Sequence, residues 1–209
     1  MPNWCNNSVE IYHDDPAMIE RARTAFNDGR LLDEFIPVPK DLHIVAGSVG
    51  DPDEQKKLLE DTARNIATYG YGNWYDFCVN EWGTKWDIGA DGNPAQDIPG
   101  GLMLGFESAW APPTTAYSKL EDMGFRIRAM YYEPGMAFAG IYEDGFDDYY
   151  EYNGLDSVGI AETLPTELDE AFGISESAAE WEAENEEENI DIDLDGGLSA
   201  TNEQEEEEK

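Results

Sequence analysis

Histidine and cysteine are the side chains of this sequence that could supply general-base or nucleophilic chemistry, and there are two of each. His13 and His43 both fall near expected loops, and neither stands in a nucleophile or metal motif. Cys5 and Cys78 are too few for a disulfide framework or a zinc site, so we expect buried thiols in a reducing compartment. A Cys5–His43 pair is the alternative that the sequence leaves open. The sequence therefore predicts no catalytic residues and no cofactor.

A calcium-loop pattern near the end of the chain is the second candidate for chemistry. Asp191, Asp193 and Asp195 alternate before Gly196, as in the first six positions of an EF-hand loop. The twelfth position is Asn202 instead of the bidentate glutamate that completes such a loop. We interpret the match as a chance one and predict no metal, with the three aspartates as the alternative site.

Tryptophan-rich motifs form the third candidate. MPNWCNN opens the chain, and NEWGTKWD and ESAWAPP follow at residues 80–87 and 107–113. Each tryptophan lies beside an expected strand or helix end, so we favour packing into the core, with Trp4 anchoring the first strand. The alternative is an aromatic ligand pocket with Lys85 and Glu133 as its polar contacts. The residues of this structural motif or pocket are Asn3, Trp4, Trp82, Lys85, Trp86, Trp110 and Glu133.

The charge of the chain is its most unusual property, because 47 acidic residues face 12 basic ones for a formal net charge of −35. Residues 175–209 hold 15 acids and one lysine, which leaves a net charge of −21 on residues 1–174. Such a charge repels DNA, RNA and anionic membranes, whose binding needs lysine and arginine. It attracts basic protein surfaces, including those that hold nucleic acid.

The segment EDGFDDYYEYNGLDS at residues 143–157 concentrates acids together with aromatic residues. Aromatic residues are enriched at the centres of protein interfaces, which favours a binding surface. An edge strand whose acids prevent pairing with other sheets is the alternative, and the sequence leaves both open. The predicted partner-binding residues lie here and in the tail: Glu143, Asp144, Asp147, Asp148, Glu151, Asp156, Glu180, Glu182, Glu184, Glu186, Glu187 and Glu188.

Strands and helices must position these groups, and their order predicts an α+β domain. Residues 8–13 alternate as a half-buried strand, and a helix is expected from Asp15 to about Asp28. A second helix is expected over residues 53–68, and the candidates for its inner face are Leu58, Leu59, Ile66 and Ala67. The order contains βαββαβ, which predicts helices on one face of an antiparallel sheet. Further strands are predicted at 85–88, 102–107, 125–133, 136–143 and 148–153, and further helices before Gly124, at 164–172 and at 177–189.

No apolar run approaches the roughly 20 residues of a membrane span, and no basic start followed by an apolar run indicates secretion. We therefore expect a cytoplasmic protein. The predicted organisation is one α+β domain over residues 1–174 and an acidic, largely disordered tail over residues 175–209.

A fourth motif, YYEPGMAFAG at residues 131–140, follows the three tryptophan motifs. In this order the four motifs resemble the YubB ferredoxin-like family of plasmid- and phage-borne proteins. The resemblance covers residues 1–140. It implies a ferredoxin-like split βαβ fold and a mobile-element setting in a bacterial host cell. It implies no reaction, because the family has no established activity.

Charge and resemblance together lead to a hypothesis about function. We expect a non-enzymatic interaction protein that acts as a DNA mimic and an anti-defence inhibitor. Its partner would be the basic surface of a host nucleic-acid-binding or defence protein, with no direct nucleic acid and no membrane. The alternatives are a small-ligand-binding or enzymatic protein that uses the tryptophan cluster, and an acidic surface that reflects halophilic adaptation.

Overall fold

A computed structural model of the protein describes residues 3–196, with side chains as far as residue 185. The chain divides into two compact units, Met1–Asn153 and Gly154–Lys209. In the first unit the elements are β1 (Trp4–Tyr12), α1 (Pro16–Asn27), α2 (Leu31–Phe35), a 3-10 turn (Lys40–Leu42), α3 (Pro52–Tyr69), α4 (Trp74–Glu81), β2 (Gln96–Ile98), β3 (Gly101–Ala109), α5 (Thr114–Asp122), β4 (Arg126–Glu133), β5 (Phe138–Glu143) and β6 (Phe146–Glu151).

The strands form one six-stranded sheet in the order β2-β3-β1-β4-β5-β6, and every neighbouring pair is antiparallel. At its centre Val9 of β1 lies opposite Leu104 of β3 on one side and Ala129 of β4 on the other. All three are buried, whereas their strand neighbours are half-buried, so one face of the sheet carries the core. The prediction of an α+β domain built on an antiparallel sheet is confirmed.

Aspartate and proline together fix where the helices of the first unit begin. The Asp15 carboxylate accepts a hydrogen bond from the N–H of Ala17 at 2.9 Å, with Pro16 at the first helical position. Asp51 caps α3 in the same way, again before a proline. Such caps satisfy N–H groups that have no partner inside the helix, and proline costs nothing there.

Two details of the predicted first unit are wrong. Residues 85–88 form no strand, and the short edge strand of the sheet is Gln96–Ile98 instead. The predicted inner face of α3 is wrong for three of its four residues, because Leu59 is 60% exposed, Ile66 is 54% exposed and Ala67 is exposed, whereas Leu58 is half-buried. The buried residue of this helix is Asn65, whose amide donates to the carbonyl of Asp41 at 2.8 Å.

The second unit is helical, with α6 (Ser157–Thr163), α7 (Thr166–Phe172) and α8 (Ile174–Gly196). Gly173 has a φ of +62°, which glycine adopts readily, and it separates α7 from α8. The helix predicted at residues 177–189 is present in α8 and begins earlier. Residues 197–209 lie outside the described residues, so the division into a 1–174 domain and a disordered 175–209 tail stays a prediction.

Candidate functional site

Four residues of the predicted tryptophan motif come together in the structure, namely Trp4, Lys85, Trp86 and Trp110. The Lys85 Nζ lies 4.5 Å from the ring centroid of Trp86 and 5.1 Å from that of Trp110. The ring of Tyr75 lies 5.9 Å from the same nitrogen, and the ring of Trp4 lies 5.7 Å from that of Trp86. These five residues are called the Lys85 cluster below. Their arrangement is that of an ammonium group surrounded by aromatic rings.

Pairing between strand ends brings the cluster together. Trp4, the first residue of β1, lies opposite Ala109, the last residue of β3. Trp110 follows directly, and its N–H donates to the carbonyl of Asn3 at 2.9 Å. The buried hydroxyl of Thr84 bonds to both the carbonyl and the N–H of Ala109 at 3.1 Å, which ties the Lys85 segment to the same place. Asn3 therefore contributes its backbone, as an anchor for Trp110.

Trp110 adopts a backbone conformation that is rare for a residue with a side chain. Its φ is +69°, in the left-handed region that favours glycine. Such a conformation costs about 1–3 kcal/mol and persists only where surrounding contacts impose it. The hydrogen bond from the Trp110 N–H is one such contact. The strain marks this corner as a place where the position of the side chain matters.

Trp82 and Glu133 belong to the same predicted set but have other roles. Trp82 is buried in the core, and its indole N–H donates to the carbonyl of Ile36 at 2.9 Å. The buried carboxylate of Glu133 accepts from the N–H groups of Gly135 and Met136 at 2.9 and 2.6 Å. It closes the turn after β4, so its prediction as a polar contact of an aromatic pocket is wrong.

The interpretation of Trp4 as a core anchor is also wrong. The Trp4 side chain is 41% exposed, whereas the next residue, Cys5, is fully buried. Side chains of a strand alternate between the two faces of the sheet, and the buried face of β1 carries Cys5, Val9 and Ile11. Core packing is correct for Trp82, whereas Trp4, Trp86 and Trp110 are exposed. Trp86 packs on Trp4, and the Lys85 ammonium lies over the rings of Trp86 and Trp110.

A cleft of about 320 Å³ adjoins the Lys85 cluster. Trp74, Trp82, Lys85 and Trp86 line it, and it is the place where α4 and the segment after it face α2. Trp74 is at the start of α4, which begins where the Asn73 side chain accepts from the N–H groups of the first turn. Charged residues line it as well, namely Arg30, Asp33, Lys85 and Asp87. Aromatic walls with placed polar groups are typical of sites for small molecules.

Asp87 is a lining residue of this cleft that the sequence analysis missed. Its carboxylate accepts from the N–H groups of Leu32 and Asp33 at 2.7 and 2.9 Å and from its neighbour Ile88 at 2.8 Å. It therefore caps α2, a helix that the sequence analysis also missed. Burial raises the pKa of Asp87, and its backbone hydrogen bonds oppose that rise. No local sequence pattern marks Asp87, because its partners are more than 50 residues earlier in the chain.

The thiols and histidines of the chain are placed unfavourably for nucleophilic chemistry. Burial raises the pKa of Cys5 and of Cys78 to about 12, which disfavours the reactive thiolate. The His13 ring accepts from the N–H of Asp15 at 2.9 Å and packs against Phe125. His43 lines the cleft together with Cys78.

The acidic segment forms a β-hairpin, and Glu143–Glu151 is called the acidic hairpin below. Its turn is Asp144-Gly145, with φ values of +50° and +78° as a two-residue hairpin turn requires. The edge strand β6 leaves Phe146 76% and Tyr149 50% exposed. The side chains of five predicted contacts of the acidic hairpin are exposed as well: Glu143, Asp144, Asp147, Asp148 and Glu151.

The acids of this hairpin differ in their partners. Glu143 forms an ion pair with Arg128 at 3.4 Å. Asp147 accepts a hydrogen bond from the hydroxyl of the fully buried Tyr131 at 2.7 Å, which ties β6 to the core. Asp148 and its exposed acidic neighbours form no ion pair with any residue that the structure describes. The unpaired carboxylates are therefore those that a partner could contact.

The remaining predicted contacts lie in the second unit. Asp156 caps α6 by accepting from the N–H of Gly159 at 2.8 Å. Glu182 on α8 accepts from both the N–H and the hydroxyl of Ser157 at 2.7 Å. Both therefore hold the unit together, whereas Glu180 and Glu184 are exposed. The side chains of Glu186, Glu187 and Glu188 lie outside the described residues.

The calcium-loop pattern falls on a helix. Asp191, Asp193 and Asp195 belong to the last turns of α8, and an EF-hand loop is not helical. Their side chains lie outside the described residues. Among residues whose side chains are described, no three His, Cys, Asp or Glu residues are close enough to hold a metal ion.

Raised carboxyl pKa values lead to a prediction about pH. Burial raises the pKa of Asp87 and of Asp147, so the folded protein binds their protons more tightly than the unfolded chain. Stability is then gained as the pH falls from neutrality toward the ordinary aspartate value of about 3.9. Glu34, whose pKa Arg21 and Arg30 lower, keeps its contribution above the ordinary glutamate pKa of about 4.3 and loses it as the pH falls further. We expect a higher melting temperature at about pH 5 than at about pH 7.5.

A matched pair of variants separates this effect from general charge repulsion. Asp147→Asn keeps an oxygen that accepts a hydrogen bond from the Tyr131 hydroxyl. Between about pH 7.5 and about pH 5, the melting temperature of this variant should rise less than that of wild type. Glu60→Gln removes one charge at an exposed site of α3 and should keep the full rise. Equal pH dependence of the melting temperature in both variants would contradict the assignment to Asp147.

Comparisons with known proteins do not show the family to which the chain belongs. No protein-family model and no curated protein sequence matches the chain. A solved structure, the protein api92 from Yersinia pseudotuberculosis, described with the family model DUF1281, is similar with 14% sequence identity and a TM-score of 0.37. The match covers 74% of this chain and 99% of that one. Within the described part of the chain, no helix is both long and apolar enough to cross a membrane.

Proposed function

We propose that the protein is a non-enzymatic, acidic interaction protein that occupies the nucleic-acid-binding surface of a host protein. The observation that carries the proposal is the acidic hairpin, where unpaired carboxylates and exposed aromatic rings share one edge strand. Carboxylates take the place of phosphates on a basic surface, and aromatic rings supply the apolar contacts that dominate binding energy.

The basic residues of the chain offset only 12 of its 47 acids, so its field at a distance stays strongly negative. Every arginine, as well as Lys119, forms an ion pair with an acid of the same chain. The formal net charge of −35 equals that of about 60 Å of duplex DNA, which carries one charge per about 1.7 Å. A protein with this charge is attracted to the basic grooves in which other proteins hold DNA or RNA.

The aromatic residues of β6 favour a binding surface over a merely protected edge. Acids alone are enough to keep an edge strand from pairing, and aromatic rings on the edge work against that purpose. The Tyr149 ring packs on Phe138 with centroids 5.3 Å apart, so part of its position is already fixed before binding. A rigid, half-exposed ring is the kind of residue that becomes a binding hot spot.

We further infer the setting in which this activity operates. The order β2-β3-β1-β4 with helical crossovers is the arrangement expected for a ferredoxin-like core, to which β5 and β6 add a hairpin. The tryptophan motifs resemble those of the YubB ferredoxin-like family, which supports a plasmid or phage protein in the bacterial cytoplasm. A host defence protein that holds nucleic acid is the partner that fits this setting.

Capture at low salt followed by competition tests the proposal. The full-length protein is immobilised, nuclease-treated bacterial lysate is applied, and captured proteins are eluted with a KCl gradient and purified. We expect the purified partner to bind duplex DNA or RNA, and this protein to displace the nucleic acid from it. Affinity should fall steeply as KCl rises, since exposed charges act through a field that salt screens. Binding that is insensitive to salt and to competing DNA would overturn the proposal.

Halophilic adaptation explains the same charge without a partner, and a melting experiment separates the two. A halophilic protein unfolds at low salt, where its carboxylates repel one another without screening. We expect this protein to remain folded at low KCl, because its arginines are already paired and its core is extensive. Unfolding at low salt with recovery in multimolar KCl would favour halophilic adaptation.

A further inference from the structure

Lys85 differs from the other basic residues that the structure describes, because it is half-buried and yet has no acidic partner among the described residues. The arginines and Lys119 form ion pairs, and Lys40, Lys56 and Lys57 are exposed to water. Lys85 is half-buried, and its ammonium pairs with no carboxylate of the described residues. In a chain with 47 acids, this absence of a carboxylate beside a shielded ammonium is notable.

Aromatic rings supply only part of the contacts that the Lys85 ammonium can make. The faces of Trp86, Trp110 and Tyr75 attract its charge. Rings accept no strong hydrogen bond, however, and an ammonium has three N–H donors. An anion beside Lys85 would complete the set of contacts that the fold leaves incomplete.

The other charged groups of the adjoining cleft are already bonded within the fold. Asp87 accepts three backbone N–H groups, and Asp33 accepts from the N–H of Val38 at 2.9 Å. Arg30 is held in ion pairs with Asp28 and Glu34. Asp33 and Asp87 keep their negative charge, so Lys85 is the cationic lining residue without a bonded partner among the described residues. It is the group of the cleft that an anion can contact.

The walls and size of the cleft define the rest of the ligand. Trp74, Trp82 and Trp86 provide flat apolar surfaces, against which an aromatic ring packs well. The volume of about 320 Å³ is near the lower end of the range of roughly 300–1,000 Å³ for small-molecule sites. One or two fused rings with a short acidic substituent fit such a space.

We propose that this cleft binds a small planar aromatic anion, with its ring against the tryptophans and its carboxylate or phosphate on the ammonium of Lys85. The site is separate from the acidic hairpin and does not depend on the function proposed above. The preference for an anion is the distinctive part, because the overall charge of the protein acts against it.

Ligand-observed NMR and calorimetry with defined probes test the proposal at about 0.15 M KCl, where the general field is screened beyond about 8 Å. The probes are indole-3-acetate as the carboxylate, AMP as the phosphate, and indole, adenosine and tryptamine as neutral and cationic counterparts. We expect at least one acid to bind about 10-fold more tightly than its neutral counterpart, and tryptamine to bind more weakly than indole. Whichever of indole-3-acetate and AMP binds more tightly identifies carboxylate or phosphate as the group that the site recognises.

Variants assign the effect to Lys85. Lys85→Gln should abolish the preference for the acid and leave indole binding unchanged, while its melting temperature shows that it is folded. Lys57→Gln removes the same charge from an exposed site on α3 and should change neither the preference for the acid nor the binding of indole. Trp86→Leu should weaken the binding of both the acidic and the neutral probes. No binding of any probe at about 1 mM, acids no tighter than neutral probes, or an unchanged preference in Lys85→Gln would each overturn the proposal.

Discussion

Replacing Trp82 by alanine is expected to lower the free energy of unfolding by about 3–5 kcal/mol, the range for truncating a large buried aromatic side chain. Trp82 is buried, and its ring packs edge-to-face on Phe77 at 6.4 Å. The substitution also leaves the buried carbonyl of Ile36 without the indole N–H that now donates to it. Urea unfolding followed by circular dichroism measures the decrease.

Trp4→Ala is the matched control for this prediction. It removes the same side chain from an exposed position, where the indole ring packs on the ring of Trp86. We expect the free energy of unfolding to fall by about 0.5–1.5 kcal/mol, the value of one aromatic pair. Comparable decreases for the two variants would show that the distinction between core tryptophan and surface cluster is incorrect.

Replacing Gly140 by alanine should destabilise the sheet at the base of the acidic hairpin. The added Cβ would lie 2.2 Å from the Tyr131 hydroxyl oxygen and 2.8 Å from the backbone carbonyl oxygen of Asp148. Tyr131 is fully buried and bonded to Asp147, so its ring has no free space into which to move. We expect the free energy of unfolding to fall by about 1–3 kcal/mol or more, as for other overpacked cores.

Gly50→Ala is the control for Gly140→Ala. Nothing lies within 4 Å of a Cβ built at Gly50, so this substitution should leave the melting temperature within a degree or two of wild type. The Gly140 variant should in addition bind the partner more weakly, because β6 is displaced together with its carboxylates. An unchanged melting temperature in Gly140→Ala would contradict the packing of Tyr131 against this position.

Local patterns made part of the fold predictable. The first strand and α1 follow from alternation and from the Asp-Pro start, because both depend on residues close together in the sequence. The predicted strand at 85–88 is wrong because Thr84 and Asp87 bond to distant backbone groups instead of forming a ladder. The exposed apolar side of α3 was likewise unpredictable, since an apolar period does not say whether anything covers it.

The candidate sites show the same limit. The sequence identifies the tryptophans and Lys85, but spacing alone does not separate the buried Trp82 from the exposed Trp86. That difference depends on the hydrogen bond to Ile36, which is distant in sequence. In the acidic hairpin, the segment is evident from composition, whereas only the buried hydroxyl of Tyr131 distinguishes Asp147 from Asp148.

The most direct test of the central claim compares two variants in which the same charge is removed at different places. The hairpin variant carries Asp144→Asn, Asp148→Asn and Glu151→Gln, all at exposed acids without a described ion pair. The control carries Asp53→Asn, Glu54→Gln and Glu60→Gln on α3, also exposed. Both have the same net charge, so long-range attraction is reduced equally.

The measurement is the concentration of each variant that displaces half of a labelled DNA duplex from the purified partner. The account predicts that the hairpin variant needs at least about 10-fold more protein than wild type, because three carboxylates that touch the partner are neutralised. The α3 variant should need at most about 3-fold more, through weaker steering alone. Equal displacement by the two variants would contradict the assignment of recognition to the acidic hairpin.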